Sequence, residues 1–191
     1  MFVKDLLINV SAALNAAISA VLTMENFTAL SVSLKSNQMI NNEYFMRLAL
    51  NEAETAFAEG EVPVGAVLVT ENRVIVSAHN KKEASADPTA HAELTVIREG
   101  AIKTGNWRLT DATLYVTKEP CVMCAGAMVN ARLGKLVYGC RDEKYGAVTS
   151  RYQIVYDPLL NHRVRVASGV LENECAGILK RFFVKLRDGS D

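Results

Sequence analysis

The sequence predicts an α/β fold, a sandwich of helices on a central sheet. Two observations carry that prediction. Short apolar runs rich in β-branched residues, such as Val64–Val69 and Thr113–Thr117, alternate with longer stretches whose apolar residues recur every three or four positions. Half of the 191 residues are hydrophobic, which suits one domain with a substantial core.

Taken in order, residues 1–38 stand apart. They contain no Arg, Gly, Pro, Cys or His. Leu6–Leu22 is apolar but broken by Asn9, Ser11, Asn15 and Ser19, a pattern that permits an amphipathic helix and argues against a membrane span. Lys4 is balanced by Asp5 with no clear cleavage site after it, which makes a poor signal peptide, and the absence of Arg argues against a transit peptide. We expect 1–38 to be an N-terminal extension upstream of the true start at Met39 (or Met24), and 39–191 to be a single domain.

From Asn42 the periodicity sharpens. Phe45, Leu48, Ala49, Ala53, Ala56 and Phe57 predict a helix that Gly60 ends. Val64–Val69 is a buried strand, and Glu71-Asn72-Arg73 turns it into Val74–Ala78 as a hairpin. A polar loop from Asn80 to Ala86 follows. Asp87-Pro88 reads as an N-cap and first helical residue, and Leu94, Val96, Ile97 and Ile102 continue a helix to Gly105. Thr113–Thr117 is a strand, and Glu119-Pro120 opens another helix in the same way. Lys135–Gly139 is a strand, Lys144–Ser150 a loop, and Val164–Val166 a last short strand. Glu172–Arg187 is a C-terminal helix with Cys175, Leu179, Phe182, Phe183 and Leu186 on its apolar side.

The chemistry concentrates in two motifs. His91-Ala92-Glu93 reads H-x-E, and Pro120-Cys121-Val122-Met123-Cys124 reads P-C-x-x-C. A catalytic zinc takes three nitrogen or sulfur ligands and keeps a fourth position open. His91, Cys121 and Cys124 supply three, and Glu93 is left to move protons. Cys121 and Cys124, three apart at a helix start, share a face where the helix N-terminus favours thiolates. Alone, C-x-x-C also fits a redox pair or half of a structural zinc site. The combination is a known signature of zinc nucleobase deaminases.

Charge is quieter. Formal net charge is zero, so the chain as a whole does not announce a nucleic-acid binder. Between Cys121 and Arg165, however, seven basic residues face three acidic ones. That strip suits either a solvated face or a phosphate backbone. Cys140 and Cys175 read as small buried residues, and four cysteines do not make a secreted disulfide framework.

From Met39 to Arg187 the chain resembles the bacterial tRNA-specific adenosine deaminases. The resemblance is carried by Val62–Val69, Asp87–Glu93, Asp111–Thr117, Glu119–Met128, Arg141-Asp142 with Lys144, and Asn161–Val164. It implies a cytidine-deaminase-like fold, a three-layer α/β/α sandwich whose central mixed sheet is flanked by helices. It implies one Zn2+ per subunit and hydrolysis of the wobble adenosine of a tRNA anticodon to inosine, with release of ammonia. It further implies a cytoplasmic homodimer, without membrane attachment, holding the tRNA anticodon stem-loop across the subunit boundary. By the same resemblance Asn80 hydrogen-bonds the target nucleotide, and Val64 lines the pocket. Asp142 lies beside the preceding nucleotide, where it can accept from a ribose 2′-OH. Read from sequence alone, Asn80 is a turn residue, His162 either a satisfied structural histidine or an RNA or pocket contact, and Asp142 a surface charge paired with Arg141 or Lys144. The chain departs mildly from the family at Cys140 and Thr149. Two rivals stand. One is a cytosine, guanine or free-nucleotide deaminase with the same zinc chemistry. The other is a non-catalytic zinc or RNA-binding module, which Cys140 as a fourth ligand would select.

Overall fold

The period-two runs form a five-stranded sheet with opposite sides sorted between two cores. In the computed structural model, residues 42–189 are described, and the expected extension over 1–38 lies outside them. Helix α1 covers 42–58, and Gly60 turns the chain at φ +81°. Strand β1 (Gly65–Thr70) and β2 (Arg73–His79) form the expected hairpin. Glu71 and Asn72 both take positive φ, as the two central residues of a tight hairpin turn do. A short helix α2 (Lys82–Ser85) stands where a plain loop was expected. Then come α3 (Ala92–Thr104), β3 (Thr113–Lys118), α4 (Val122–Asn130) and β4 (Lys135–Cys140). A 3₁₀ turn at Ile154–Tyr156, β5 (Arg165–Ala167) and α5 (Glu172–Asp188) complete the chain.

The strand order is β2-β1-β3-β4-β5. β1 is antiparallel to β2 and β3, whereas β3, β4 and β5 run parallel, so the sheet is mixed. Ala66, Leu68, Leu114, Val116, Leu136 and Tyr138 face one core with α3 and α4 residues. Val67, Val69, Tyr115 and Val137 face the other with Phe45, Met46 and Ala49 of α1 and Cys175 of α5. This alternation is what makes three layers. At Gly65 the α1 backbone comes so close that a Cβ would stand 2.1 Å from the Ala49 carbonyl oxygen.

The sequence places both metal-bearing helices too early. Asp87 does not cap α3. Its Oδ1 accepts from the Thr89 N–H (2.8 Å) and hydroxyl (2.7 Å), closing a local turn over 87–89 instead. The helix starts at Ala92, with His91 extended before it at φ −79°, ψ 145°. Likewise Pro120 ends the exit from β3, and Cys121 (φ −75°, ψ 175°) precedes α4. Two apolar faces are also narrower than the periodicity suggests. Ile102 is exposed on α3, and Phe183 and Leu186 are half exposed on α5, leaving Cys175, Ile178 and Phe182 buried.

Candidate metal centre

The shift in helix starts puts His91 and Cys121 each at the mouth of a helix, with Cys124 one turn inside α4. Their ligand atoms converge. His91 Nδ1 is 3.8 Å from Cys121 Sγ and 3.5 Å from Cys124 Sγ, and the two sulfurs are 3.7 Å apart. Zinc–ligand bonds of about 2.3 Å to sulfur and 2.0–2.1 Å to nitrogen, at tetrahedral angles, require edges of about 3.8 Å (S···S) and 3.6 Å (S···N). The triangle therefore has the size of one face of a zinc tetrahedron. Among the described residues this is the cluster of His, Cys, Asp or Glu side chains able to hold a metal, and it has three members. Cys140 is not a fourth ligand: it is buried, with its Sγ 3.5 Å from the Thr117 carbonyl oxygen, and burial pushes its thiol up to about 11. Cys175 behaves alike, burial raising it to about 12.

The protonation states fit metal capture. Cys121 is held near 4, first by the hydrogen bond from Cys124 and then by that from His91. The Cys124 thiol is pushed up, as the donor to Cys121 and by burial. The pair thus favours a thiolate at Cys121, and a divalent cation would displace the proton that the two sulfurs share. His91 is raised, chiefly by its hydrogen bond with Cys121.

Glu93 lies in the first turn of α3, 4% exposed. Burial drives its carboxyl upward, against the opposing charge of His91. Among the described residues, its Oε2 is buried with no hydrogen-bond partner. An orphaned carboxylate oxygen beside three zinc-type ligands suits a group kept for water and substrate rather than for the fold.

Asn80 is a strut as well as a neighbour. It is buried, donates from Nδ2 to the Val62 carbonyl (3.2 Å), and accepts from the Ala92 N–H at Oδ1 (3.0 Å). It ties the approach to β1 to the first residue of α3. Val64 is buried in the same core as Ala92 and Cys124. Asp142 is neither exposed nor paired with Arg141 or Lys144 side chains. Its Oδ2 meets Lys118 Nζ at 2.5 Å, and its Oδ1 accepts the N–H groups of Lys144 and Tyr145. Burial opposes its charge, but Lys118 and those amides hold its carboxyl below the ordinary range. His162 is structural, 2.8 Å from the Leu133 carbonyl oxygen.

The partners of three groups escaped sequence reasoning. His79 is buried between Glu52 (2.8 Å) and Glu59 (3.1 Å). Glu61 is buried and accepts the Ala84 N–H at 2.8 Å, which seats α2. Glu119 is buried against the 142–150 loop. All three are acids or a histidine in polar-looking segments, so no periodicity marks them.

Residues 40–187 match the family model of MafB19-like deaminases. The tRNA-specific adenosine deaminase of Streptococcus pyogenes serotype M1 is 46% identical over 145 residues, covering 76% of this chain and 85% of that protein. That of Bacillus subtilis strain 168 is 47% identical over 149 residues, covering 78% and 92%. The chain belongs to the tRNA-specific adenosine deaminase family. Among solved structures, one from work on A-to-I editing by tRNA deaminases at the wobble position is 47% identical. It has a TM-score of 0.69 and covers 71% of this chain and 98% of the other. The fold is also that of a guanine deaminase from Nitrosomonas europaea, at TM-score 0.65 and 20% identity. Family membership and the three-membered donor set agree on a zinc-dependent hydrolase with one metal site per chain.

Proposed function

We propose that the chain removes the exocyclic amine of the wobble adenosine in a tRNA anticodon by hydrolysis, giving inosine and ammonia. The observation that carries this reading is the open His91–Cys121–Cys124 set with the unpartnered Glu93 oxygen beside it. His91, Cys121 and Cys124 would hold the zinc, which would supply a Lewis acid able to make water nucleophilic near neutrality. Glu93 accepts a proton from that water and delivers it to the ring nitrogen. Once the water oxygen has bonded to the carbon that bears the amine, Glu93 takes the second proton from that oxygen and passes it to the departing amine, so the new bond becomes a carbonyl and ammonia leaves. Burial suits this role, because it raises the carboxyl and makes it a better proton acceptor than an exposed glutamate.

Asn80 retains one N–H and one lone pair beyond its two backbone partners, enough to bond the target nucleotide while bracing α3. Val64 walls the pocket. Asp142 meets the ribose before the target base. The protein works in the cytoplasm as a homodimer on the anticodon stem-loop. Tyr152, Tyr156, Leu159 and Leu160 are exposed along one segment and supply apolar surface for such a partner. Among the described residues no helix is long and apolar enough to cross a membrane. Residues 39–191 constitute the deaminase domain.

The test compares substrates. An anticodon stem-loop with adenosine at the wobble position should be deaminated, whereas free cytidine and guanine should not. Turnover of the free compounds with none of the stem-loop would select the rival reading.

A further inference from the structure

Glu119 stands two residues before the first cysteine and is 2% exposed. Its Oε1 accepts the N–H groups of Val148 (3.1 Å), Thr149 (2.7 Å) and Ser150 (2.9 Å). Its Oε2 accepts the N–H of Asp142 (3.1 Å) and the hydroxyl of Ser150 (2.5 Å). Consecutive amides converging on one oxygen are the geometry of an anion-binding nest. Here the anion is a side chain of the protein itself. The loop approaches closely enough that a Cβ at Gly146 would stand 2.5 Å from the Glu119 carboxylate. Backbone bonds run the same way. The Glu119 N–H donates to the Cys140 carbonyl, and the Ala147 N–H to that of Pro120, each at 2.8 Å.

One carboxylate therefore bridges the turn that bears Cys121 and the loop that bears Asp142. We propose that Glu119 is a positioning residue for the nucleic acid, acting through the 142–150 loop to hold Asp142 in register with the metal-bearing turn. This rests on the function proposed above, in which Asp142 meets RNA. Charge is essential to the device. A carboxylate accepts at both oxygens, whereas a carboxamide accepts at one and donates at the other. In Glu119→Gln, the carbonyl oxygen keeps the Val148–Ser150 amides and the amine is turned toward the Asp142 N–H. Donor then faces donor, and the bond lost is the one that ties the Asp142 backbone to Glu119.

The experiment uses the full zinc-loaded chain and an anticodon stem-loop. Glu119→Gln should keep its zinc, speed hydrogen exchange at the Asp142 amide while 148–150 stay protected, and raise KM about tenfold or more. Its kcat should stay within about threefold of the parent, the split expected of lost substrate positioning. Gly146→Ala strains the same contact from the loop side, away from the metal turn, and should raise KM with zinc retained. If Glu119→Gln is poorly folded, Gly146→Ala decides. An unchanged KM alongside a fast-exchanging Asp142 amide overturns the proposal, and so does loss of zinc with the loop amides still protected. A parent protein that leaves the stem-loop untouched overturns the function first and this proposal with it. A parent that is active beside variants with parental KM overturns the proposal alone.

Discussion

Replacing Asn80 with alanine removes two hydrogen bonds at once. The Ala92 N–H loses its partner, whereas the Val62 carbonyl keeps the Val64 N–H at 2.8 Å. Leaving a buried polar group unsatisfied costs about 1–3 kcal/mol. One group is orphaned, so we expect roughly 1–3 kcal/mol in total. In a domain of this size each kcal/mol lowers Tm by about 2–4 °C, so Asn80→Ala should unfold roughly 2–12 °C below the parent. The Ala92 N–H opens the helix that carries Glu93 one residue on, so activity should fall too. Thermal unfolding of the zinc-loaded protein, followed by circular dichroism, makes the measurement. An Asn80→Ala protein that unfolds within about 2 °C of the parent yet has lost activity would refute the strut, since that spacing is under one kcal/mol. The side chain would then serve substrate alone.

Glu93→Gln should retain one zinc by metal analysis while its turnover falls about 10²–10⁴-fold, the usual worth of a placed acid–base group. Asp142→Asn turns an amine toward Lys118 and weakens the acceptor facing the ribose. The ratio of kcat/KM on matched RNA and DNA stem-loops should therefore shrink, and an unchanged ratio would leave Asp142 a structural partner of Lys118 only. A protein beginning at Met39 should fold, bind zinc and deaminate as the full chain does, since the family match begins at residue 40. Insolubility or metal loss in that shorter protein would place 1–38 within the folded unit.

The parts of the fold legible in the sequence are those written in periodicity. The alternation Ala66–Val67–Leu68–Val69 predicts a strand, and in the sheet it becomes two cores. The ligand set was legible because zinc constrains residue type and spacing together. The helix starts were not, because Asp87 and Pro120 satisfy the local rules for a cap and a first helical residue while tertiary bonds claim them for turns. Thr89 takes the Asp87 side chain, and Ala147 takes the Pro120 carbonyl. That displacement matters chemically, since it leaves His91 and Cys121 extended at two helix mouths. Glu119 and the His79–Glu52–Glu59 group were illegible for another reason. Their partners are 20 to 31 residues away in sequence, and a hydrogen bond leaves no periodic trace. Asp142 illustrates both limits. Its neighbours Arg141 and Lys144 invite a local pairing, yet Lys118 on the adjacent strand is the partner.

In the proposed function, His91, Cys121, Cys124 and Glu93 together carry out a hydrolytic deamination on RNA. Incubating the zinc-loaded chain with total tRNA in heavy-oxygen water tests it most directly, with the product nucleoside mapped and weighed. The account predicts inosine at the wobble position of an adenosine-bearing anticodon, heavy oxygen at the carbon that had held the amine, and ammonia released in equal amount. No inosine from the zinc-loaded parent, or inosine formed equally by Glu93→Gln, would contradict it.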